Sequence, residues 1–406
     1  MRRLTTPIAV FLLMICALPS QGIPAFARKY GFMCAMCHTA WPGLNDFGEK
    51  FRANGYQIPG QEDTEKTVFE SYPPFSIRTS AGFTNDAFMP SLAEPGISQW
   101  QVNGLDILAG GLIAENKGFF LADLPQIEGG NGMEAQTGEV EQANVMFARM
   151  KSTSINLRVG RYEGCYLAFS TLRRLSISPY EIYEFNGSPD LSPPNTRGSL
   201  NDFRLGETAT GLEFTGWGRS PWRYGIGSVN GSRENIADDG PSDYYLRAAY
   251  VAGRGFGQSA GQRFGFTGYF GRARAIGLFT KNGFTRLGLD ANLNFPPYNA
   301  QIQYIRGHDT KGFNVFAPGE AYIFSGGFAE VNRFAMESAL FARYDWVNTP
   351  TEDDHDITRV TAGYRYHLAH GLMLQLEYSI RNVANGAGPG VRLREDFYCA
   401  RLDWAF

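Results

Sequence analysis

The sequence has little that would suit a nucleic-acid-binding protein or a helical membrane protein. Its 406 residues carry a formal net charge of −3, so it lacks the basic excess that binds nucleic acid or an anionic membrane surface. After residue 22, no stretch approaches the roughly 18 consecutive apolar residues of a membrane-spanning helix. Cysteine and histidine are also scarce, with 5 of each, so a motif that combines them seldom arises by chance.

The N-terminus has the pattern of a secretory signal peptide. Arg2 and Arg3 form a basic start, residues 7–18 form a short apolar run, and small and polar residues follow. We predict a signal peptide over residues 1–22, with cleavage possible as late as residue 27. The apolar run is too short to cross a bilayer as a helix, and an uncleaved N-terminal anchor is the alternative.

The segment Cys34-Ala35-Met36-Cys37-His38 has the C-x-x-C-H spacing through which c-type haem is attached. Two thiols three residues apart can form thioethers to the haem vinyl groups, and the next residue places an imidazole below the iron. We predict one covalent haem c, with Cys34 and Cys37 as attachment sites and His38 as an axial iron ligand. A zinc site is the first alternative, but it requires further ligands nearby, and the next histidine is His308. A redox dithiol is the second, and the βαβ pattern expected around it is missing.

Residues 23–73 are predicted to form a small α-helical cytochrome unit around this motif. Leu44, Phe47 and Phe51 recur at helical spacing and form one apolar face that could pack on the porphyrin edge. Gly55 is expected to end this helix. A unit of about fifty residues buries too little surface to be stable alone, so we expect it to need a second surface.

Residues 74–406 show an alternation of apolar and polar residues that is typical of β-strands. For example, Leu374 and Leu376 alternate with Gln375 and Glu377. Alternation fits a soluble sandwich, which buries its apolar face, as well as a membrane barrel, whose apolar face meets lipid.

Three further features favour a membrane barrel. Tyr and Trp occur at strand ends, as in interfacial girdles; short and long connections alternate; and the chain ends on Phe406, as in the assembly signal of bacterial outer-membrane barrels. We therefore predict an all-β membrane protein with a barrel of roughly sixteen strands. The predicted strands are 75–83, 98–110, 117–124, 138–150, 154–163, 203–217, 222–231, 243–253, 263–272, 283–295, 298–308, 322–331, 336–347, 357–367, 371–382 and 394–406.

An even strand count places both chain ends on one side of the membrane. With that side periplasmic, every short turn lies there and every long loop lies outside. The longest loop, 164–202, follows the fifth predicted strand, where porins have the loop that folds into the pore. Because a barrel of this width leaves an aqueous channel unless something fills it, we expect the haem unit to plug the lumen.

The N-terminal motifs and the barrel together resemble the fused monohaem cytochrome–porins of the bacterial outer membrane, a family of iron-oxidase type. The residues that carry the resemblance are Pro24, Phe26, Ala27, Arg28, Gly31, Cys34, Cys37, His38, Pro42, Gly43, Leu44, Phe47, Gly48, Phe51, Gly55 and Tyr56. The resemblance implies that the cytochrome unit sits in the barrel and takes electrons from Fe(II) at the cell surface. The N-terminal part of the match is specific, whereas the barrel match is architectural.

The expected function is an outer-membrane electron conduit, and whether it acts as an Fe(II)-oxidising enzyme is left open. Its expected partners are extracellular Fe(II) or another electron donor, a periplasmic electron carrier and outer-membrane lipid, with no nucleic acid. Two alternatives are a solute porin with a structural or regulatory haem and a conduit that runs outward to an extracellular acceptor. A haem enzyme such as a peroxidase would need a distal acid–base residue, and none is visible near Cys34.

Four assignments stay open. The second iron ligand could be Met33, Met36, Met89, His367, His370 or water. Haem propionates could pair with Arg343, Arg365, Arg381 or Arg401, and acidic loop clusters at 238–239 and 352–356 could attract cations. Cys165 and Cys399 could be free thiols or a disulfide.

Overall fold

A computed structural model gives the structure of most of the chain after residue 25. The residues that it describes are 26, 29–32, 34–40, 42–58, 61, 67–68, 70, 75–86, 97–114, 118–128, 140–150, 154–186, 198–199, 203–217, 221–231, 243–253, 261–274, 281–310, 312–313, 320–335, 337–350, 355–369, 371–384 and 392–405. The predicted signal peptide and its cleavage sites lie outside the described residues. Within these ranges, no helix is long and apolar enough to cross a membrane.

Strands dominate the chain. In order, the elements are α1 (Cys34–Cys37), β1 (His38–Ala40), β2 (Gly43–Leu44), α2 (Asp46–Ala53), β3 (Phe75–Asp86), β4 (Ile97–Ala114), β5 (Gly118–Glu128), β6 (Gln142–Phe147), β7 (Ile155–Tyr162), α3 (Glu181–Glu184), β8 (Gly198–Ser199), β9 (Ala209–Trp217), β10 (Trp222–Val229), β11 (Asp243–Ala252), β12 (Gln262–Arg274), β13 (Lys281–Phe295), β14 (Tyr298–Asp309), β15 (Gly312–Phe313), β16 (Tyr322–Ala335), β17 (Ser338–Asn348), β18 (Ile357–Ala369), β19 (Leu372–Val383) and β20 (Leu393–Ala405).

Sixteen of these strands form one antiparallel barrel. Neighbours in the sheet follow chain order, except that the short β8 and β15 are left out and pair only with each other. The sheet closes because β20 pairs with β3, through Ala400 opposite Phe83, while β9 pairs with β10. Closure leaves none of the sixteen strands with an unpaired edge. The predicted strand number is confirmed.

Strand boundaries differ from the prediction where alternation and pairing diverge. The strand predicted at 138–150 is only Gln142–Phe147, and the one predicted at 203–217 begins at Ala209. Phe203 and Leu205 are instead buried in the aromatic core of the lumen, so their apolar character reflects packing in a loop. The pair β8–β15 was not predicted, because two-residue strands leave no periodic signal.

The apolar face of the barrel points outward. Leu289 is 60% exposed, Ile226 58% and Val360 54%, whereas the inward residues Gln303 and Thr361 are 1% and 0% exposed. A soluble sandwich would have the opposite arrangement. The outward apolar surface is therefore the one that a membrane barrel presents to lipid.

The two ends of the barrel differ in their connections. Most connections at the turn end are short, as at 218–221 and 296–297, and most at the loop end are long, as at 87–96 and 163–208. The exception is the turn-end connection 253–261, which is longer than the loop-end connection 275–280. The first barrel strand begins at the turn end and the last one finishes there. This arrangement follows the parity predicted from an even strand count.

The connection between β7 and β9 folds into the lumen, as predicted, and residues 163–186 of it are called the inner loop here. Tyr166 packs edge-on against Tyr245 at 4.8 Å between ring centroids, and Tyr180 stacks on Phe328 at 4.0 Å. These contacts belong to one large buried cluster of loop and wall residues. The expectation that the N-terminal unit fills the lumen is therefore incomplete, because the inner loop occupies part of it.

Candidate functional site

The predicted haem motif forms one helical turn followed by a hairpin. α1 spans Cys34–Cys37, and His38 opens the hairpin of β1 and β2, where it pairs with Leu44. Positions three apart in a helical turn lie on the same side of the backbone. The backbone at 34 and 37 thus has the spacing that two thioether bonds to one porphyrin require.

His38 is held in the form that can bind a metal. Its Nδ1 lies 3.2 Å from the carbonyl oxygen of Pro42, and because a carbonyl only accepts, Nδ1 donates and Nε2 keeps its lone pair. Metal-binding histidines commonly have their second nitrogen held in this way. Burial lowers the pKa of His38 to about 4 despite hydrogen bonds with the Pro42 and Gly43 backbone, so the ring is neutral near pH 7. This donor geometry fits a haem iron.

Asn45 joins the motif to α2. Its Oδ1 accepts from the Gly48 amide at 2.9 Å as an N-cap, and its Nδ2 donates to the Met36 carbonyl at 3.1 Å. Its own amide donates to the Cys37 carbonyl at 2.9 Å. Gly48 is needed here because a β-carbon would overlap that same carbonyl oxygen. The close approach of α2 to the motif therefore depends on glycine.

An aromatic cluster forms the core of the N-terminal unit, meaning the described residues from 26 to 58. Phe51 is 3% exposed and lies at its centre. Its ring centroid is 5.4 Å from Phe26, 5.6 Å from Tyr30, 6.1 Å from Phe47 and 5.8 Å from Tyr56. The predicted apolar face of α2 is thus packed on rings of its own unit. The predicted end of this helix is also present, since Gly55 follows it with a φ of +70°.

The N-terminal unit packs against the inner wall at the turn end. Asp46 forms an ion pair with Arg223 of β10 at 3.3 Å, and Asn156 of β7 donates to the Ala53 carbonyl at 2.6 Å. Gly55 lies against Ala148 and Met146, near the end of β6. The barrel thereby supplies the second surface that so small a unit was expected to need.

Glu163 anchors the first half of the inner loop. Its Oε1 accepts from the Ser170 hydroxyl and the Thr171 amide, both at 2.7 Å. Its Oε2 forms an ion pair with Arg173 and lies 3.7 Å from Nη2 of Arg52 on α2. One carboxylate therefore contacts the inner loop and the N-terminal unit together.

The second half of the inner loop is anchored by charged residues on the opposite wall. Arg343 of β17 donates to the carbonyl oxygens of Ser178 at 2.9 Å and Pro179 at 2.7 Å. Glu377 of β19 accepts from the amides of Ile177 at 2.5 Å and Ser178 at 2.7 Å. Hydrogen bonds to charged groups are each worth about 1.5–3 kcal/mol, so this anchor is strong.

A cavity that is open to solvent lies between the N-terminal unit, the inner loop and the wall. Its charged lining residues are Arg173, Arg174, Arg223, Arg263, Asp46, Glu49 and Glu330. Arg174 donates to the carbonyl oxygens of Thr171, Ser176 and Ile177. Within the described part of the chain it has no carboxylate at ion-pair distance. The cavity lining therefore carries a positive excess.

Most of the lumen arginines proposed for the propionates have other partners. Their nearest carboxylates are Asp345 for Arg343, Glu181 for Arg381 and Asp403 for Arg401, at 2.6, 3.1 and 3.0 Å. Arg365 has its Nη1 3.9 Å from the sulfur of Met373. These side chains face the lumen as expected, but their ion pairs hold the loop and the wall. The arginines of the cavity are different ones.

The candidates for the second iron ligand are dispersed. Met33, Met89 and His370 lie outside the described residues. Met36 is 43% exposed. His367 lies in β18 near the turn end, at a position of the strand that faces the lumen.

The acidic clusters of the long loops are only partly described, since 238–239 and 352–354 lie outside the described ranges. Of the second cluster, Asp356 accepts from the amide of Thr349 at 2.8 Å, and His355 is 4% exposed. This end of the cluster stabilises its own loop.

Cys165 and Cys399 are both free thiols. Cys165 lies in the inner loop against Gly225 of β10, where a β-carbon would overlap its sulfur. Cys399 lies in β20, on a different part of the wall. Burial raises the pKa of the Cys165 thiol. The disulfide left open by the sequence is therefore absent from the structure.

Sequence reasoning missed the residues that position the inner loop. Glu163, Glu213 and Glu377 are all at most 4% exposed and accept hydrogen bonds from loop amides. The sequence feature that could have pointed to them is their placement, since Glu213 and Glu377 occupy inward positions of strands and Glu163 directly follows β7. The sequence could not show that their partners are backbone amides of a loop.

Comparisons with known proteins identify the fold. No family model and no curated protein matches the sequence. The anion-selective porin of Comamonas acidovorans has a TM-score of 0.57 at 12% identity, covering 82% of this chain and 98% of the porin. The outer-membrane channel DcaP of Acinetobacter baumannii has a TM-score of 0.57 at 6% identity, covering 82% and 95%. OprB of Pseudomonas putida has a TM-score of 0.51 at 7% identity, covering 84% and 95%. At such identities, the likeness shows a porin fold.

Proposed function

We propose that this chain is an outer-membrane electron conduit with one covalent haem c in its N-terminal unit. Electrons would pass from an extracellular donor to a periplasmic carrier, and the family resemblance makes Fe(II) the expected donor. The observation that carries the proposal is the orientation of His38: Nδ1 is fixed by Pro42, and Nε2 is left to bind a metal directly after a C-x-x-C turn. That arrangement lies inside a porin-type barrel.

The barrel supports an orientation in the membrane. Bacterial outer-membrane barrels have short periplasmic turns and longer extracellular loops. The turn end, with the N-terminal unit, would then face the periplasm, and the loop end would face outside. The exposed apolar side chains of the wall would contact lipid.

Different residues of the chain would bind the haem and orient its iron ligand. A c-type haem supplies reversible one-electron transfer at its iron. Cys34 and Cys37 would hold it covalently, and His38 would ligate the iron through Nε2. The Pro42 carbonyl fixes the tautomer and direction of that imidazole. The cluster around Phe51 gives the unit an apolar core that excludes water.

The narrowed lumen also suits electron transfer better than passage of the metal. The inner loop and the N-terminal unit both occupy lumen space, so the free cross-section is smaller than the barrel wall alone would leave. Iron that becomes insoluble on oxidation is best kept outside the cell. On this proposal an electron, and not the ion, crosses the membrane.

A solute channel is the second candidate, and the solvent-open cavity with its positive excess favours it. Arginines in a narrow lumen attract anions, and one structure of similar fold is described as anion-selective. On this reading the haem would be structural or regulatory. A conduit that runs outward to an extracellular acceptor has the same architecture and differs in its reduction potential.

Stopped-flow mixing of the purified full chain with Fe(II) tests the proposal. Haem staining after denaturation first establishes covalent attachment. Cys37→Ala should reduce the stained haem, and His38→Ala should weaken the haem absorption spectrum. Both variants should still assemble the barrel. His308→Ala, at the loop end of β14, is the matched control. Rapid reduction of the haem by Fe(II) is expected.

Two results would contradict the proposal. A haem that dithionite reduces but excess Fe(II) leaves oxidised, at acidic and neutral pH, excludes iron as the donor. Rapid flux of small anions through reconstituted barrels, unchanged by His38→Ala, favours the solute channel instead.

A further inference from the structure

Charges are sorted between the two faces of the wall that β11, β12, β13, β14 and β16 form. All the carboxylates of these strands point into the lumen and are at most 7% exposed; they belong to Asp243, Asp290, Asp309 and Glu330. Arg272 of β12 and Arg306 of β14 point the other way and are exposed. On the outward face of these strands, the two guanidinium groups therefore have no acidic neighbour.

Both arginines lie just beyond the apolar rows of the outer wall. At the loop end of β12, Arg272 follows Phe270 on the outward face, and at the loop end of β14, Arg306 follows Tyr304. Phe270 is 44% exposed and Tyr304 is 43% exposed. Outward aromatic residues mark the boundary between hydrocarbon and water on membrane barrels. The guanidinium groups therefore lie at the depth of the lipid head groups.

His308 is a third nitrogen donor on the same patch of wall. It follows Arg306 on the outward face of β14 and pairs with Thr285 of β13, while Arg272 pairs with Gly283 two residues away. From the spacing of strands and the rise along them, the three residues lie within about 10 Å across the strands and about 14 Å along them. Long arginine side chains can reach one head group over such distances.

The protein itself does not neutralise these arginines. In the part of the chain that the structure describes, neither has a carboxylate at ion-pair distance, whereas Arg394, also outward at the loop end, lies 3.1 Å from Asp396. The patch also has apolar neighbours, such as Leu287, which pairs with Arg306 and is 41% exposed. A partner must therefore be both anionic and apolar. Phosphate accepts paired hydrogen bonds from guanidinium groups, and a phosphorylated lipid has both properties.

We propose that Arg272, Arg306 and His308 bind the phosphate of a phosphorylated lipid in the leaflet around the loop end. The acyl chains of this lipid lie along the apolar rows of β12, β13 and β14. In the orientation proposed above, the leaflet is the outer one, which in Gram-negative bacteria consists mainly of a phosphorylated glycolipid. The inference rests on that part of the proposed function and does not require the haem.

The test titrates the purified full chain, in a neutral detergent, with lipid A that carries two phosphates and with the same lipid after both phosphates are removed. Wild type is expected to bind the phosphorylated form more tightly. A basic residue near an anionic lipid surface contributes a factor of about five to binding. Arg272→Gln and Arg306→Gln should each raise the Kd by about this factor, and the double variant by about twenty-five-fold.

Arg394→Gln is the matched control, because it removes an outward arginine that has its own carboxylate. Its Kd for the phosphorylated lipid should equal that of wild type. Heat-modifiable gel migration confirms that each variant has assembled its barrel.

Three results would overturn the inference. They are equal affinity for the two forms of the lipid, equal Kd values in the double variant and in Arg394→Gln, and displacement of the lipid by inorganic phosphate at a comparable phosphate concentration. The last result would mean that the patch recognises the free ion. A chain without covalent haem that still binds the phosphorylated lipid through these arginines contradicts the proposed electron conduit alone, so the two failures are distinguishable.

Discussion

Replacing Glu163 with glutamine is expected to release the first half of the inner loop. The carboxylate is 3% exposed. Burial raises its pKa, but Arg173, Arg52 and hydrogen bonds from Ser170 and Thr171 lower it from 4.5 to about 2. A shift of this size corresponds to about 3 kcal/mol in favour of the ionised form. Glutamine can keep the hydrogen bonds that Oε1 accepts from Ser170 and Thr171, but its NH2 group cannot accept from Arg173 and it carries no charge.

The expected effect is therefore a loss of up to about 3 kcal/mol, which raises the population with this segment displaced on the order of a hundredfold. The anchors at Arg343 and Glu377 remain, so the second half of the loop should stay in place. Arg173 and Arg52 would also be left without their shared carboxylate. Breaking one side of a buried ion pair is destabilising for that reason.

Alkylation of Cys165 measures this displacement directly. The thiol lies two residues after Glu163, and its amide donates to Glu213 at 2.5 Å. Burial raises the pKa of this partly buried thiol, and since the thiolate is the reactive form, labelling should be faster when the segment is displaced. In a Cys399→Ser background, Glu163→Gln should label up to about a hundred times faster than the parent.

Glu184→Gln is the matched control for this experiment. Glu184 is in the same loop, but its side chain is 39% exposed and lies 4.0 Å from Arg204. Exposed pairs of this kind contribute little to stability, so the labelling rate should not change. Equal rates in Glu163→Gln and the parent would refute the assignment of Glu163 as an anchor.

Three further predictions concern pH, the haem motif and the cavity. The Glu163 ion pair stabilises the docked loop fully above pH 4.5, and this stabilisation is lost as the pH falls towards 2. Thermal scans should therefore show a fall in stability at acidic pH in the parent and not in Glu163→Gln. Gly48→Ala should lower the ratio of stained haem to assembled barrel, because the β-carbon meets the Cys37 carbonyl; an unchanged ratio would show that α2 can shift freely. Arg174→Gln should reduce anion over cation permeability in reconstituted vesicles, because it removes a positive charge from the cavity lining. Unchanged selectivity would mean that Arg174 does not set the field of the cavity.

The strands could be predicted because apolar and polar residues alternate along each one, according to the face on which each side chain lies. Leu374 and Leu376 point to one face and Gln375 and Glu377 to the other, and no distant contact is needed to see this. Alternation does not say which face is outside. That information came from the lengths of the connections and from the chain terminus, and the exposed Leu289 in the structure agrees with it.

The helix end at Gly55 was predicted from the sequence, but the hairpin of β1 and β2 and the loop anchors were not. Arg343 and Ser178 are 165 positions apart and contact through a backbone carbonyl that any residue could supply. Glu377 and Ile177 are 200 positions apart. Nothing in a single sequence marks such pairs, because only one partner of each has a distinctive side chain.

The charged residues of the lumen mainly hold the inner loop and the wall together. Arg381 and Arg343 hold the inner loop against the wall, and Glu163 holds the loop and also reaches Arg52 of the N-terminal unit. Because Arg52 and Arg173 share that one carboxylate, the unit and the loop cannot be loosened independently. A change at Glu163 should therefore alter the surroundings of His38, whose own pKa is lowered in part by Arg173. If the proposed haem is present, its spectrum should therefore change when the inner loop is displaced.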